Sequence, residues 1–269
     1  MSRDILYEAH GQVRLITLNR PKVMNSLDFA ANDALTEIWR EFAADDGARV
    51  AVVTGAGDGA GGGAFCAGAD LKTYTMAYAN TPEATFRNRF TNGPGFGGIT
   101  RGLEIDKPVL AAVNGYAVSG GLELALACDL RFASENAEFA IQDVRWGFHA
   151  CDGALIRLPW IVGLGHAMEL FLSGERIGAA HAYRIGLVNR VFAPEHLMEA
   201  SMDYAGMLAR RAPLAQRRGK RVMLDGLGRR LGDGLRRESA SFRTLAETAD
   251  LAEGTAAFAD KREAAFKGE

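Results

Sequence analysis

The chain has 269 residues, 48% hydrophobic and 24% charged, with a formal net charge of −2. That length and balance fit one large globular domain, or a core with an appendage, and exclude a mostly disordered chain. A charge so near zero leaves no electrostatic footprint for nucleic acid or an anionic membrane, and no apolar run reads as a bilayer span.

The opening "MSRDILYEAHGQVRLITLNR" lacks the apolar stretch and small-residue cleavage site of a secretory signal. It reads as a strand pair whose second member is "VRLITL" (13–18). The expected location is the cytoplasm. Cys66, Cys128 and Cys151 are odd in number and far apart, which suits free thiols in a reducing compartment. The five histidines form no i, i+4 pair, so no metal site is expected.

A loop broken by Pro21 leads to Asp28, which is placed to cap a helix over 29–43, with Leu35, Ile38, Trp39 and Phe42 at helical spacing. "VAVVTG" (50–55) is a buried strand. "GDGAGG" (57–62) satisfies the dinucleotide pattern G-x-G-x-x-G, yet no second strand ending in an acid follows at the required distance, so it reads as a flexible loop. Residues 74–106 mix aromatics, polar residues and glycines and read as a partly helical, mobile cover over a binding site. "VLAAVNG" (109–115) is the next strand, followed by a short apolar helix at 120–127. "DLRFAS" and "AEFAIQ" are two strands around a turn at Glu135–Asn136, and "LVNRVF" (187–192) is the last strand. Beyond Pro194 the chain reads as helical nearly throughout. The expected division is a core over 1–197 and a helical region over 198–269.

"AFCAGADL" (64–71) and "VSGGLEL" (118–124) each place small residues between a strand and a helix. Such turns let a ligand approach the main chain closely, and a helix start offers unpaired N–H groups at the positive end of a dipole. Two facing turns of this kind make an oxyanion hole; glycines that merely end strands explain the same residues. Glu123 lies in the first turn of the second helix, an acid among apolar neighbours.

Together, "AFCAGADL" and "NGYAVSGGLELALACDLRFASENAEFAIQDVRWG", with "LNRPKVMNSLD" near the start and "FADKREAAFKGE" at the end, resemble the enoyl-CoA hydratase/isomerase (crotonase) superfamily over nearly the whole chain. The resemblance implies an α/β fold of repeated ββα turns, a C-terminal helical region that mediates trimers or hexamers, and an acyl-coenzyme A thioester as ligand. Coenzyme A is then part of the substrate, and no separate cofactor is expected. By position in the motif, the N–H groups of Ala69 and Gly120 hold the thioester oxygen, and Glu123 is the first catalytic acid. In hydratases a second acid shares a water with it: one carboxylate takes the water's proton while the other protonates the carbon beside the thioester. That second position holds Asp143 instead of the usual Glu, a shorter reach in a site where misplacement on the order of 1 Å costs about 100-fold in rate. The resemblance also assigns coenzyme A contacts to Lys22, Val23, Cys66, Ala67 and Ala69, and to Phe258 and Lys261, often supplied by a neighbouring subunit.

The segment "GFHACDGALIRLP" (147–159) departs from the hydratase pattern. Asp152 either caps the next helix or adds an acid to the acyl pocket. His149 reads as structural, though it is of a type that titrates near neutral pH. Trp146 reads as core packing or a wall of the acyl pocket. The resulting expectation is hydration of a 2-enoyl-CoA. The competing readings are double-bond isomerisation, thioester or carbon–carbon hydrolysis in a rebuilt pocket, and acyl-CoA binding without turnover.

Overall fold

The computed structural model describes residues 4–57, 63–101 and 103–269, apart from the side chains of residues 75, 76, 78 and 79. Two sheets carry the chain. The larger has six strands in the order β1–β2–β3–β5–β7–β10, with β1 (Ile5–His10) antiparallel to β2 (Val13–Leu18). The other pairs, through β3 (Val50–Gly55), β5 (Val109–Val113), β7 (Leu130–Ser134) and β10 (Arg190–Phe192), are parallel. The smaller sheet runs β4 (Ala64–Cys66), β6 (Tyr116–Val118), β8 (Glu138–Ala140) and β9 (Ile177–Gly178), parallel but for its last pair.

Each repeat sends one strand to each sheet and then a helix. β3 and β4 lead to α2 (Leu71–Asn80), β5 and β6 to α4 (Gly120–Ala127), and β7 and β8 to α5 (Ala154–Ser173). The irregular spacing of these units comes from the long insertion after α2. It contains α3 (Glu83–Phe86), a π-helical turn at 87–91 and a 3-10 turn at 96–98.

The strands read from the sequence at 13–18 and 50–55 and the helix at 120–127 stand as expected. The expected strand 109–115 ends at Val113, and a separate strand, β6, begins just after Gly115 crosses Gly63: a Cβ on Gly115 would lie 1.8 Å from the Gly63 carbonyl oxygen. The two strands around Glu135–Asn136 exist but do not pair with each other, since β7 joins the large sheet and β8 the small one. The expected last strand is shortened to three residues. The G-x-G-x-x-G match lies, beyond Gly57, outside the described residues.

β3 and β5 are buried along their whole length because both sheet faces are covered. Alternate residues divide between two cores. Ala51, Val53, Val109, Ala111 and Val113 face the main core with Leu35, Trp39 and Phe42 of α1 (Phe29–Ala44). Val50, Val52, Leu110 and Ala112 face Leu197, Ala205 and Ala209 of α7 (Leu197–Ala209). Asp28 caps α1, its side chain accepting from the Ala31 N–H at 2.9 Å. The short α6 (Ala179–Arg184) leads into β10. The chain ends in α8 (Pro213–Gly226), α9 (Leu231–Leu245) and α10 (Ala249–Asp260).

One expectation is corrected at α5. By length and composition this helix is apolar enough to cross a membrane, with mean hydropathy 1.3 and 22% of the span buried. Its apolar residues are interrupted by Arg157, Pro159, His166 and Glu169, which hid the span in a reading by unbroken runs. The helix bends at Gly163 (φ 78°) and packs on α4.

Candidate active site

Three loops are stitched into one wall. Asn25, in the left-handed region at φ 55°, donates from Nδ2 to the carbonyls of Ala64 (2.6 Å) and Ala56 (3.0 Å). The Ala67 N–H donates to the Met24 carbonyl at 3.0 Å, and Leu27 bridges Ala69 through Gly68 and Asp70. These bonds seat the 3-10 turn of Lys22 and Val23 beside Cys66, Ala67 and Ala69. The Cys66 thiol is fully buried, and burial pushes it up to about 12, so only its main chain is offered to a ligand.

The bridge to Leu27 uses the carbonyl of Gly68 and the N–H of Asp70, which turns the Ala69 N–H to the opposite side. Gly120 begins α4, where an N–H has no acceptor within the helix. The two turns lie close together. A Cβ on Gly68 would sit 3.1 Å from the Gly120 nitrogen, and one on Gly121 would sit 1.9 Å from the Cys66 carbonyl oxygen. Only glycine permits that approach. The ring of Phe96 covers Gly120 from the other side, about 3 Å from where a Cβ would stand.

Glu123 is 3% exposed. Its Oε1 accepts from the backbone N–H of Asp152 (2.7 Å) and of Ala154 (3.1 Å), so the carboxyl caps the start of α5 as well as lying in the first turn of α4. Burial and then the charge of Asp152 push its pKa up to about 7; the two N–H bonds work against this, and Asp143 adds a smaller upward push. Asp143 opens the 3-10 turn after β8 and is also buried. Burial raises its pKa, against a hydrogen bond from Ser119. Its Oδ2 is buried without a partner.

Ser119 was not singled out in the sequence. It sits at φ 50° immediately before α4, a left-handed conformation unusual for a residue with a side chain. Its N–H donates to Ala140 (2.9 Å), and its hydroxyl accepts from the Gln142 N–H (3.2 Å) and bonds Asp143. It thereby couples the glycine turn to the second acid. A polar residue directly before "GG" was the available signal.

Asp152 does not cap α5 with its side chain. Gly153, at φ 112°, stands at the N-cap of α5 with no side-chain cap. The Asp152 carboxylate points to the insertion instead, where Oδ1 accepts from Phe96 N, Thr100 Oγ1 and Arg101 Nε, each at 3.0 Å. Trp146 is 65% exposed, which overturns its reading as core. His149 is exposed rather than packed, and its charge acts on Asp143. Phe258 and Lys261 lie at the end of α10. Phe258 is exposed on a cavity built with Leu214 of α8, Phe242 of α9 and Phe266 of the segment after α10. Within one chain that cavity takes no residue from the first glycine turn. No group of three or more metal-ligating side chains occurs among the described residues.

A ββα spiral with two interlocked glycine turns beside two buried acids defines the crotonase fold and its acyl-thioester site. The chain matches the family model described as enoyl-CoA hydratase/isomerase over residues 8–269. It is 38% identical to an (E)-benzylidenesuccinyl-CoA hydratase of Thauera aromatica, covering 98% of this chain and 99% of that one. It is 36% identical to a carnitinyl-CoA dehydratase of Escherichia coli K12, with both chains covered in full. Among solved structures, an enoyl-CoA hydratase from Mycobacterium marinum aligns at TM-score 0.88 and 34% identity over 100% of both chains. One from Bacillus anthracis aligns at TM-score 0.86 and 33% identity over 99% of this chain and 100% of that one. This protein belongs to the enoyl-CoA hydratase/isomerase family, the crotonase superfamily, and is an acyl-CoA enzyme of that type.

Proposed function

We propose that the protein is a hydro-lyase that adds water across the 2,3 double bond of an enoyl-CoA thioester. The observation that carries this reading is the pair of buried carboxyls, Glu123 and Asp143, each held above its usual range, with the charge of Asp143 acting on Glu123. Hydration needs one base and one acid, which two buried carboxyls raised above the usual carboxylate range supply.

In this mechanism the thioester oxygen lies against the N–H groups of Ala69 and Gly120. A water sits between Glu123 and Asp143. Both recorded hydrogen bonds of Glu123 fall on Oε1, which leaves Oε2 toward the water. One carboxylate removes a proton as the water oxygen bonds to C3. Electrons move through C2 to the thioester oxygen, where the two N–H groups stabilise the charge; one such donor is worth about 3–4 kcal/mol of barrier. The other carboxyl then protonates C2 and the carbonyl reforms. The names of the two curated relatives, a hydratase and a dehydratase, describe the two directions of such a water transfer. Retention of an acid at Glu123 favours this over isomerisation, which requires only one.

Lys22, Val23 and the main chain of Cys66 and Ala67 form the expected face for coenzyme A. Phe258 and Lys261 complete it from a neighbouring subunit of a homotrimer or a pair of trimers.

The test is a panel of enoyl-CoA thioesters followed by loss of the conjugated absorbance. The native protein consumes at least one member. Glu123→Gln and Asp143→Asn fold normally and lose at least 100-fold in kcat, the scale of one general acid–base group. Full activity in Asp143→Asn removes that residue from the mechanism, and no turnover across the panel sinks the hydratase reading.

A further inference from the structure

We propose that Asp152 is a positioning residue that acts through Glu123: by fastening the insertion to the start of α5, it fixes two N–H groups on one oxygen of Glu123 and leaves the other for substrate. This deepens the hydratase reading and rests on it for the role of Glu123. The geometry is a knot with two ends. On one side the Asp152 carboxylate gathers Phe96 N, Thr100 Oγ1 and Arg101 Nε. On the other, the N–H of Asp152 itself donates to Glu123 at 2.7 Å. Arg157, one turn into α5, ties the same segments again, from Nη1 to the Asp152 carbonyl (3.3 Å) and from Nη2 to the Thr100 carbonyl (2.8 Å). Phe96, held by this carboxylate, is also the ring lying over Gly120. One buried carboxylate therefore sets both the acid and a wall of the oxyanion turn.

The knot leaves no room for another chain direction. A Cβ on Gly95 would stand 2.2 Å from Thr100 Oγ1 and 2.7 Å from Asp152 Oδ1, and Gly95 is at φ 77°. Asp152 also contributes charge. The groups that face Glu123 are Asp152 and Cys151 before α5, Arg157 on α5, and Asp143 after β8. Asp152 gives the largest electrostatic push on Glu123, second to burial, and Arg101 partly offsets that charge through its ion pair at 3.0 Å. The pairing sets where Glu123 titrates: a free Asp152 charge raises it, and removal of the charge lowers it.

Two variants move that point in opposite directions. Asp152→Asn keeps an acceptor oxygen for the Phe96 and Thr100 donors and deletes the charge. Arg101→Leu keeps the charge and deletes its partner. The readout is the carboxyl carbon of Glu123 in protein labelled with 13C-glutamate, assigned by its loss in Glu123→Gln. The native midpoint lies at about 7. Asp152→Asn lowers it by about one pH unit, a tenfold loss of proton affinity, and Arg101→Leu raises it. The acidic limb of the kcat profile on the active thioester follows the same order. A purely structural role lowers thermal stability in both variants without opposed shifts. An unmoved midpoint, or one that moves the same way in both, overturns the proposal. Opposed shifts in a protein that hydrates no thioester uphold the coupling of Asp152 to Glu123 and remove only the hydratase reading.

Discussion

An acid such as Glu123 is costly to bury, and the cost appears as a dependence of folding on pH. Its pKa in the folded chain is about 7, against 4.5 for the free group. Between these values the folded state binds more protons than the unfolded state, so stability falls as pH rises through that window. Glu123→Gln abolishes this term. Thermal unfolding at pH 5 and pH 8 is therefore expected to show a larger fall in Tm for the native protein than for Glu123→Gln, with the variant the more stable at pH 8. Equal falls in both proteins mean that Glu123 is not held above its ordinary range. The sequence showed that Glu123 was out of place, because one acid interrupts an apolar helix. It did not show what receives it. The donors are backbone N–H groups at 152 and 154, and Asp152 in turn answers to residues 96, 100 and 101. Those partners are distant in sequence, and local spacing carries no trace of them. Trp146 departs from its core reading for a related reason: side-chain type suggests packing, while its turn faces solvent.

At the scale of elements, long strands and capped helices were legible because their periodicity is local. Asp28 before α1 and the apolar runs of β3 and β5 are of this kind. Strands β4, β6 and β9 were not, since two or three residues give no period to count. They exist because tertiary pairing selects them, and glycine-permitted crossings show where. Gly68 is one such place, at φ 92° with Val118 O and the Gly120 nitrogen 3.0 and 3.1 Å from a built Cβ. Gly68→Ala forces the two turns apart. A displacement of about 1 Å between the amides costs about 100-fold in kcat, with circular dichroism unchanged. Gly219 on α8 has open space where its Cβ would stand, so Gly219→Ala is the control, expected to keep full activity and to gain roughly 0.5–1 kcal/mol of stability. Equal activity in the two variants would separate the Gly68 turn from catalysis.

At the scale of the whole molecule, the apolar surface of α5 needs an explanation beyond the single chain. Ile156, Trp160, Leu164, Met168 and Leu172 follow one another at every fourth position, and all are exposed. They lie on both sides of the bend at Gly163, and exposed apolar surface of this kind marks interaction sites. Met223, Leu227, Leu231, Leu235 and Phe242 are a second exposed apolar set, on α8, α9 and their connection. Within one chain Trp160 already shares a pocket with Met223, Leu224 and Leu227, and the remaining exposed apolar residues are the surface offered to the trimer proposed above. Such an association would account for an α5 of composition apolar enough for a membrane that carries Arg157 inside its span. It would also bring Phe258, whose cavity takes no residue of the glycine turns in one chain, and Lys261 to the proposed coenzyme A face. Leu164→Lys places a charge in the middle of the exposed set on α5, away from every site residue. By sedimentation the native protein is expected as a trimer or a multiple of it, and the variant as a smaller species. The variant's KM for the thioester rises, as coenzyme A contacts supplied by the neighbour are lost, whereas its kcat changes less because Glu123 and Asp143 come from one chain. A monomeric native protein with saturable turnover removes both the trimer and the shared coenzyme A face, and leaves the chemistry of the two acids standing.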